Sequence, residues 1–293
     1  MSCCLKVGGG EPRTWGRMRT TRMDRTGRRK AKDSHGQGAL ELADLARFRQ
    51  AAYRFFSTTL LYPDAERLRT VTTVAGELGN QTDFLATFSF FIQWRDLLER
   101  LRGLAGVRPA SVEEQYVYVF IANPDYAPCL PYESAYVDSA AAPGWTAVEV
   151  ERKYAAAGLS LAPSLHEVPD HAAVELEFMA FLCDQESSAW KAQRLKEGIK
   201  ALKQQATFLE QHLGRWFPAF ARRVAAKDNG EIYAPLARTA EAFISHDRGL
   251  VEALVDGFES RVDTHPRDSV SKAPAQGTGT CHNSQKTPPR KRA

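Results

Sequence analysis

Val168-Pro169-Asp170-His171-Ala172-Ala173-Val174-Glu175-Leu176-Glu177-Phe178-Met179 is the densest stretch of the chain. Proline disfavours a helical conformation in the residue before it. Asp170 is placed to accept hydrogen bonds from the exposed N–H groups of a first turn, so a helix is predicted to begin at this pair. Val174, Phe178 and Phe181 fall on one side of that helix and Leu176, Met179 and Cys183 on another, which makes it apolar nearly all round and therefore buried. Glu175 and Glu177 stand about 200° apart at 100° per residue, so they cannot share one solvent face, and at least one belongs beside a partly enclosed space. Glu175 also lies one turn from His171. Asp170, His171 and Glu175 thus form a candidate polar cluster at the mouth of a buried helix, the alternative being a capped, salt-bridged helix start with no partner.

Working outward, the pattern is helical almost throughout. Leu45, Phe48, Ala52, Phe55, Phe56 and Thr59 recur at three- and four-residue steps and Pro63 ends the run. A second helix is predicted from Pro63 to Leu78. Phe84, Phe88, Phe91, Ile92, Leu98 and Leu101 mark a third, and Ser111 with Glu114 resembles a capping box opening a fourth that carries Tyr116 and Phe120. Four prolines between Asn123 and Gly144 predict a long irregular loop. Helical character returns over Thr146 to Ala157, from Pro169 to about Ser187, and from Ala189 to about Lys227 with an interruption near Gly214 to Pro218. A last helix runs from Pro235 to Phe258. Strand alternation and internal repeats are absent from this reading. The expected architecture is all-α: one globular domain of about nine to eleven helices over residues 38–263.

Pro169-Asp170-His171-Ala172-Ala173-Val174-Glu175-Leu176-Glu177-Phe178-Met179 resembles the PDH-x-x-x-E-L-x-F-M signature of the TorD/DmsD-type redox-enzyme maturation chaperones. Pro128-Cys129-Leu130-Pro131-Tyr132-Glu133-Ser134-Ala135-Tyr136 is similar to the P-x-x-P-Y-E-S-x-Y element that precedes it in that family. Tyr53 through Pro63 resembles the family's N-terminal helix with its aromatic-Pro ending, and His212-Leu213-Gly214-Arg215-Trp216-Phe217-Pro218-Ala219-Phe220 its HLxxWxPxF element. The four pieces stand in order and span the central domain. Two departures are visible: the acidic residue that often stands directly before Pro-Asp-His is Val168 here, and both tails are long.

What the resemblance implies is a non-catalytic chaperone. Its partner would be the twin-arginine signal peptide, and the apo form, of a molybdenum or tungsten oxidoreductase catalytic subunit, held back from export while its cofactor is inserted. Such a peptide has a basic head and an apolar stretch, so its receptor needs an acidic rim beside an aromatic groove. On that reading Asp170 and Glu133 face the arginines, with Glu175 beside them, while His171, Tyr62, Tyr116, Phe120, Tyr132 and Tyr136 line the groove. Tyr132, Glu133 and Tyr136 are equally suited to anchoring the loop onto the helices. Trp216 and Phe220 read as core, and Trp94 as either.

The chain of 293 residues carries a net charge of +4, but the sign is unevenly spread. The ends, residues 1–37 and 264–293, are basic and low in apolar periodicity and read as disordered tails. They carry roughly +7 and +5, which leaves a central domain of roughly −8. Met18 and Met23 are alternative starts. The five cysteines, Cys3, Cys4, Cys129, Cys183 and Cys281, fit neither a disulfide framework nor a paired zinc knuckle, and reduced thiols favour the cytoplasm. Arg28-Arg29 is followed by Lys30-Ala31-Lys32-Asp33 rather than an apolar run, so it is not read as an export signal. The sequence gives no membrane-spanning run, no metal-ligand spacing, no phosphate-cradling loop (Gly8-Gly9-Gly10 leads into Glu11-Pro12) and no nucleophile with its base. No cofactor or catalytic residue is expected. The basic tails motivate a second reading, a helical nucleic-acid-binding or general interaction protein with salt-dependent affinity for phosphates, which the acidic domain does not support. Oligomeric state stays open between a monomer and a domain-swapped dimer.

Overall fold

In a computed structural model of the chain, residues 4–7, 34–80, 83–122, 127–138, 144–163, 165–227 and 231–263 are described. Ten α-helices carry these residues. They are α1 (Ser34–Thr59), α2 (Ala65–Gly79), α3 (Phe91–Gly103), α4 (Pro109–Tyr116), α5 (Ser134–Val137), α6 (Trp145–Ala156), α7 (Ala172–Lys191), α8 (Leu195–Gln211), α9 (Leu213–Lys227) and α10 (Tyr233–Asp263). A 3-10 turn, Asp83–Thr87, precedes α3, and α4 passes directly into a π-helical turn, Val117–Ile121. The all-α expectation holds for this domain.

The spine is the pair α1 and α7, which pack along one another, with α8 beside α7 and α10 laid across α8 and α9. The all-round apolar character of α7 is met by burial on every side: Val174, Leu176, Met179, Ala180 and Cys183 are each fully buried. A second layer of aromatics closes the core between α1, α3 and α10. There Trp94 is fully buried, with its ring 5.5 Å from Phe56 and 5.8 Å from Phe55, while Phe243 lies 4.9 Å from Tyr53. Trp94 is therefore core.

Local boundaries differ from the sequence reading for identifiable reasons. The fourth helix opens at Pro109, whose fixed φ suits a first helical position, with Arg108 as its N-cap and no side-chain cap, so Ser111 and Glu114 form no capping box. The break expected near Gly214 to Pro218 falls earlier, at His212 (φ −126°, ψ −103°), and Pro218 is carried inside α9. α7 runs on to Lys191 and ends in a turn where Gln193 adopts φ 56°.

Leu5–Val7 forms a short strand, β1, antiparallel to a second, β2 (Leu159–Leu161). The expectation of disorder for residues 1–37 thus fails for residues 4–7, which are held by backbone pairing and by burial of Cys4 and Leu5, and for residues 34–37, which open α1. Residues 1–3, 8–33 and 264–293, which contain the rest of the N-terminal arm and the C-terminal tail, lie outside the described residues, as do residues 123–126 and 139–143 of the Pro-rich loop. No described helix is long and apolar enough to cross a membrane.

One buried polar group ties the helices together. Arg49 on α1, 1 % exposed, donates to Asp247 of α10, to Gln205 of α8 and, at 2.7 Å, to Glu186 of α7. Tyr53 Oη adds a 2.6 Å bond to Asp247, Gln205 Nε2 donates to Glu186 at 2.9 Å, and Trp190 Nε1 donates to the second Glu186 oxygen at 3.0 Å. Tyr53 stood at the head of a quoted element, but Arg49, Glu186, Trp190, Gln205 and Asp247 were not singled out by sequence pattern, because α1 and α10 lie far from α7 and α8 in the chain.

Candidate functional site

The sequence elements that carry the resemblance meet at the N-terminal end of α7. Residues 131–133 run antiparallel to the turn before that helix: Ala172 N donates to Pro131 O at 2.8 Å, Glu133 N donates to Asp170 O at 2.9 Å, and Tyr132 pairs with His171 as an isolated bridge. The capping arrangement is not the predicted one. His171 is the N-cap of α7, its Nδ1 accepting from Ala173 N at 3.0 Å, while the Asp170 carboxylate turns to the other segment and accepts from Ser134 N at 2.9 Å. An imidazole nitrogen does the work sequence preference assigns to a carboxylate, and the freed carboxylate holds the loop.

Beneath this seam lies a carboxylate-rich cluster. Glu133 takes a 3.0 Å contact from His212 Nδ1, and Glu175 Oε2 accepts from Trp216 Nε1 at 3.0 Å, while Glu175 Oε1 takes no donor. Burial, and then the neighbouring Glu133, hold the Glu175 carboxyl well above the usual carboxylate range. This favours its protonated form, which relieves the repulsion that two adjacent carboxylates would otherwise suffer. Tyr154 closes the cluster, its Oη donating to Pro169 O at 2.9 Å. His212 and Tyr154 received no role from the sequence. His212 stood inside a quoted motif without any local sign of what it would face.

Asp170, His171, Glu133 and Glu175 are each at or below 1 % exposed, so in this arrangement a peptide touches none of the four directly. Phe120 is likewise buried, packed 4.9 Å from both Tyr116 and Tyr233, so it sits in the core rather than in a groove. Tyr116 is buried at its flank. Tyr136 is half-buried against Trp216, ring centroids 5.5 Å apart, with its hydroxyl taking no partner.

The surface above the seam is made of different residues. Tyr62 is 40 % exposed, its ring 5.5 Å from Tyr116 and its hydroxyl donating to Glu113 at 3.2 Å. Tyr132 stacks edge-on over His171, centroids 5.2 Å apart, and donates to Glu167 at 3.2 Å. Burial pushes the Tyr132 hydroxyl up to about 12 and raises the Glu167 carboxyl as well. Val168 and Leu130 expose 48 % and 40 % of their surface beside these acids. His171 Nε2 is buried without a partner, 3.9 Å from Glu167 Oε2 and beyond bonding reach. Desolvation pulls this imidazole down to about 3, so it is neutral, and with Nδ1 accepting, Nε2 bears the hydrogen. Glu167 and Glu113 were missed by sequence reasoning. The acid sought directly before Pro-Asp-His is absent, yet Glu167, one residue earlier, supplies a carboxylate to the same turn.

The recess beside this rim, lined by Leu61, Pro63, Arg67, Val112 and Tyr233 among others, has a volume of only about 20 Å³. A wider open cleft of about 470 Å³, floored by Phe178 and Phe208 and edged by Lys153, Lys196, Lys200 and Lys203, contains none of the candidate residues. No group of three or more His, Cys, Asp or Glu among the described residues is arranged to hold a metal ion.

Residues 92–222 match the family described as nitrate reductase delta subunit. The chaperone protein TorD of Vibrio cholerae serotype O1 is 32 % identical over 163 residues, covering 55 % of this chain and 72 % of that protein. The selenate reductase assembly chaperone protein of Thauera selenatis is 38 % identical over 81 residues, 28 % of this chain and 41 % of the relative. A solved structure titled as a redox enzyme maturation protein from Archaeoglobus fulgidus aligns at 24 % identity with a TM-score of 0.44, over 67 % of this chain and 93 % of that one. With the sequence elements of the resemblance gathered at one seam and relatives of this closeness named as chaperones rather than catalysts, the chain belongs to the TorD family of redox-enzyme maturation chaperones.

Proposed function

We propose that this protein is a cytoplasmic maturation chaperone for the catalytic subunit of a molybdenum or tungsten oxidoreductase, and that it receives the subunit's twin-arginine signal peptide at the seam between residues 131–138 and the start of α7. The relatives named as reductase assembly chaperones support the client class. The observation that carries the site is the placement of an acidic and aromatic rim, Tyr62, Glu113, Tyr132 and Glu167, directly over a buried store of negative charge.

In this reading the arginines pair first with Glu167 and Glu113, each a charge-assisted bond of about 1.5–3 kcal/mol where water is excluded. The apolar stretch of the leader rests on Tyr62, Leu130 and Val168, which expose 40 %, 40 % and 48 % of their surface. Asp170 and Glu133 lie under the 131–138 segment. They attract the arginines through the field and become direct partners only when that segment lifts.

Titration of the full-length chain with a synthetic twin-arginine leader tests this. Glu167→Gln is expected to weaken binding about tenfold, and Asp170→Asn, which keeps an oxygen for Ser134 N–H, about three- to tenfold, both with little change in melting temperature. Because Glu167 titrates above its ordinary range when unliganded, affinity is expected to fall as pH drops through that raised value. A leader whose arginines are replaced by alanine and still binds equally well refutes the site. Loss of fold in Asp170→Asn without separate loss of binding assigns the turn a purely structural role.

A further inference from the structure

The strand β1 is too short to be stable by its own pairing. A two-stranded ladder of three residues is marginal in water, so what holds it is a prepared slot. Cys4 N donates to the Glu177 carboxylate, and Ala162 N donates back to Cys4 O at 2.8 Å. Leu5, Lys6 and Val7 then pair with Leu161, Ser160 and Leu159. Cys4 and Leu5 are 2 % and 8 % exposed, whereas Lys6 points outward, and Glu177 itself is 7 % exposed. The slot reads a backbone direction, an aliphatic side chain at one position and a backbone N–H opposite a carboxylate. Its occupant is joined to α1 only through residues 8–33.

These features are those of a strand-accepting edge, in which main-chain bonds give affinity and alternate side chains give selectivity. We propose that the β2 edge, ending at Glu177, is a docking site for an extended, aliphatic and basic segment of a partner chain, and that Cys4–Val7 is its resident occupant, displaced when such a segment binds. The charge of the occupant supports that choice of partner: Lys6 is carried on a basic arm against a domain of opposite sign. This site shares no residue with the rim proposed for the leader, so either assignment stands or falls without the other. A tethered occupant competes at an effective concentration of up to about millimolar, so the edge is hidden from a weak free peptide until the tethered strand is weakened.

The test uses the full-length chain with Leu5→Asp, which removes the buried aliphatic group. A milder companion is Lys6→Pro, since an alternating ladder makes Lys6–Ser160 the next hydrogen-bonding pair after Cys4–Ala162 and proline has no N–H to give. The probe is a fluorescent synthetic peptide of residues 1–10 under reducing conditions, followed by anisotropy. Saturable binding to both variants, at least tenfold tighter than to the unaltered chain, is expected. So is loss of hydrogen-exchange protection at 159–162 in the variants and its return with peptide. A probe bearing the Leu5→Asp change should not bind.

The proposal is overturned if the peptide fails to bind variants whose α7 protection is intact, or binds the unaltered chain equally well. It is also overturned if a scrambled peptide binds alike. Loss of α7 protection in both variants makes Cys4–Val7 a structural strand instead. A concentration-dependent dimer abolished by Leu5→Asp gives the edge to the arm of a second copy, which equally overturns the partner assigned here.

Discussion

The two ends of α7 solve the problem of buried carboxylates differently. Towards its C-terminal end, Glu186 and Asp247 surround the guanidinium of Arg49, and Gln205, Tyr53 and Trp190 complete the bonding. About 16 Å away along the helix axis, at eleven residues of 1.5 Å rise, Glu133, Glu175 and Asp170 take their bonds from an imidazole, an indole and a backbone amide, and burial and its neighbour push Glu175 towards its protonated form. The first end has its cation built in. The second holds comparable acidity without a guanidinium among these partners, beneath a rim that faces solvent. That difference separates a structural clasp from a place suited to a positively charged guest.

The largest effect expected from this contrast is at the clasp. Replacing Arg49 with leucine leaves Asp247 and Glu186 buried without their cation, and the cost of breaking such a pair from one side is about 3–5 kcal/mol. Urea unfolding should show it at pH 7 with an unchanged denaturant slope. A loss below about 1 kcal/mol would mean that the clasp is not what holds α1, α7, α8 and α10 in register.

How much of this was legible in the sequence depends on the range over which each signal acts. The burial of α7 was readable because its periodicity is local, and the all-α class followed from repetition of the same signal. The seam was half readable. Asp170, His171, Glu133 and Glu175 were named, but the spacing of residues along α7 says nothing about what the 131–138 segment lays over it, so their depth and the swap of capping duty between Asp170 and His171 were not accessible. The clasp was invisible, since Arg49 and Asp247 lie 198 residues apart and a lone Arg on a helix is ordinarily a solvated one. Strand β1 escaped because three residues are too few to show alternation.

A second measurement sharpens the contrast through pH. His171 is buried neutral, with its pKa drawn from 6.5 to about 3 by desolvation, while in the unfolded chain it titrates near its ordinary value. The stability associated with that neutral burial is complete above about pH 6.5 and is lost as pH falls towards 3, at no more than about 1.4 kcal/mol per pH unit. His171→Ala should remove this slope between pH 6.5 and 5. It should also lower stability at pH 7 by about 2 kcal/mol, from the lost cap on Ala173 N and the space left under Tyr132. Equal slopes in the two proteins would place the charged imidazole in the native state and undo the assignment of its hydrogen to Nε2.

The smallest effect lies at Glu175, where the sign runs the other way. Its folded pKa is raised by burial and by Glu133, so the folded state binds a proton that the unfolded chain has released above about pH 4.5. The cost therefore grows as pH rises from the ordinary carboxylate range towards the raised value. Glutamine mimics the protonated acid: its amide can donate towards Glu133 while its oxygen keeps the bond from Trp216 Nε1. Glu175→Gln is accordingly expected to leave stability unchanged or raise it by up to about 1 kcal/mol at pH 7, with less difference at pH 4.5. At the Arg49 end, Glu186→Gln should destabilise at both pH values because it removes a charge that the guanidinium pairs with. If Glu175→Gln destabilised as strongly as Glu186→Gln, the cluster at the seam would hold an ionised, cation-paired carboxylate after all, and the two ends of α7 would be equivalent.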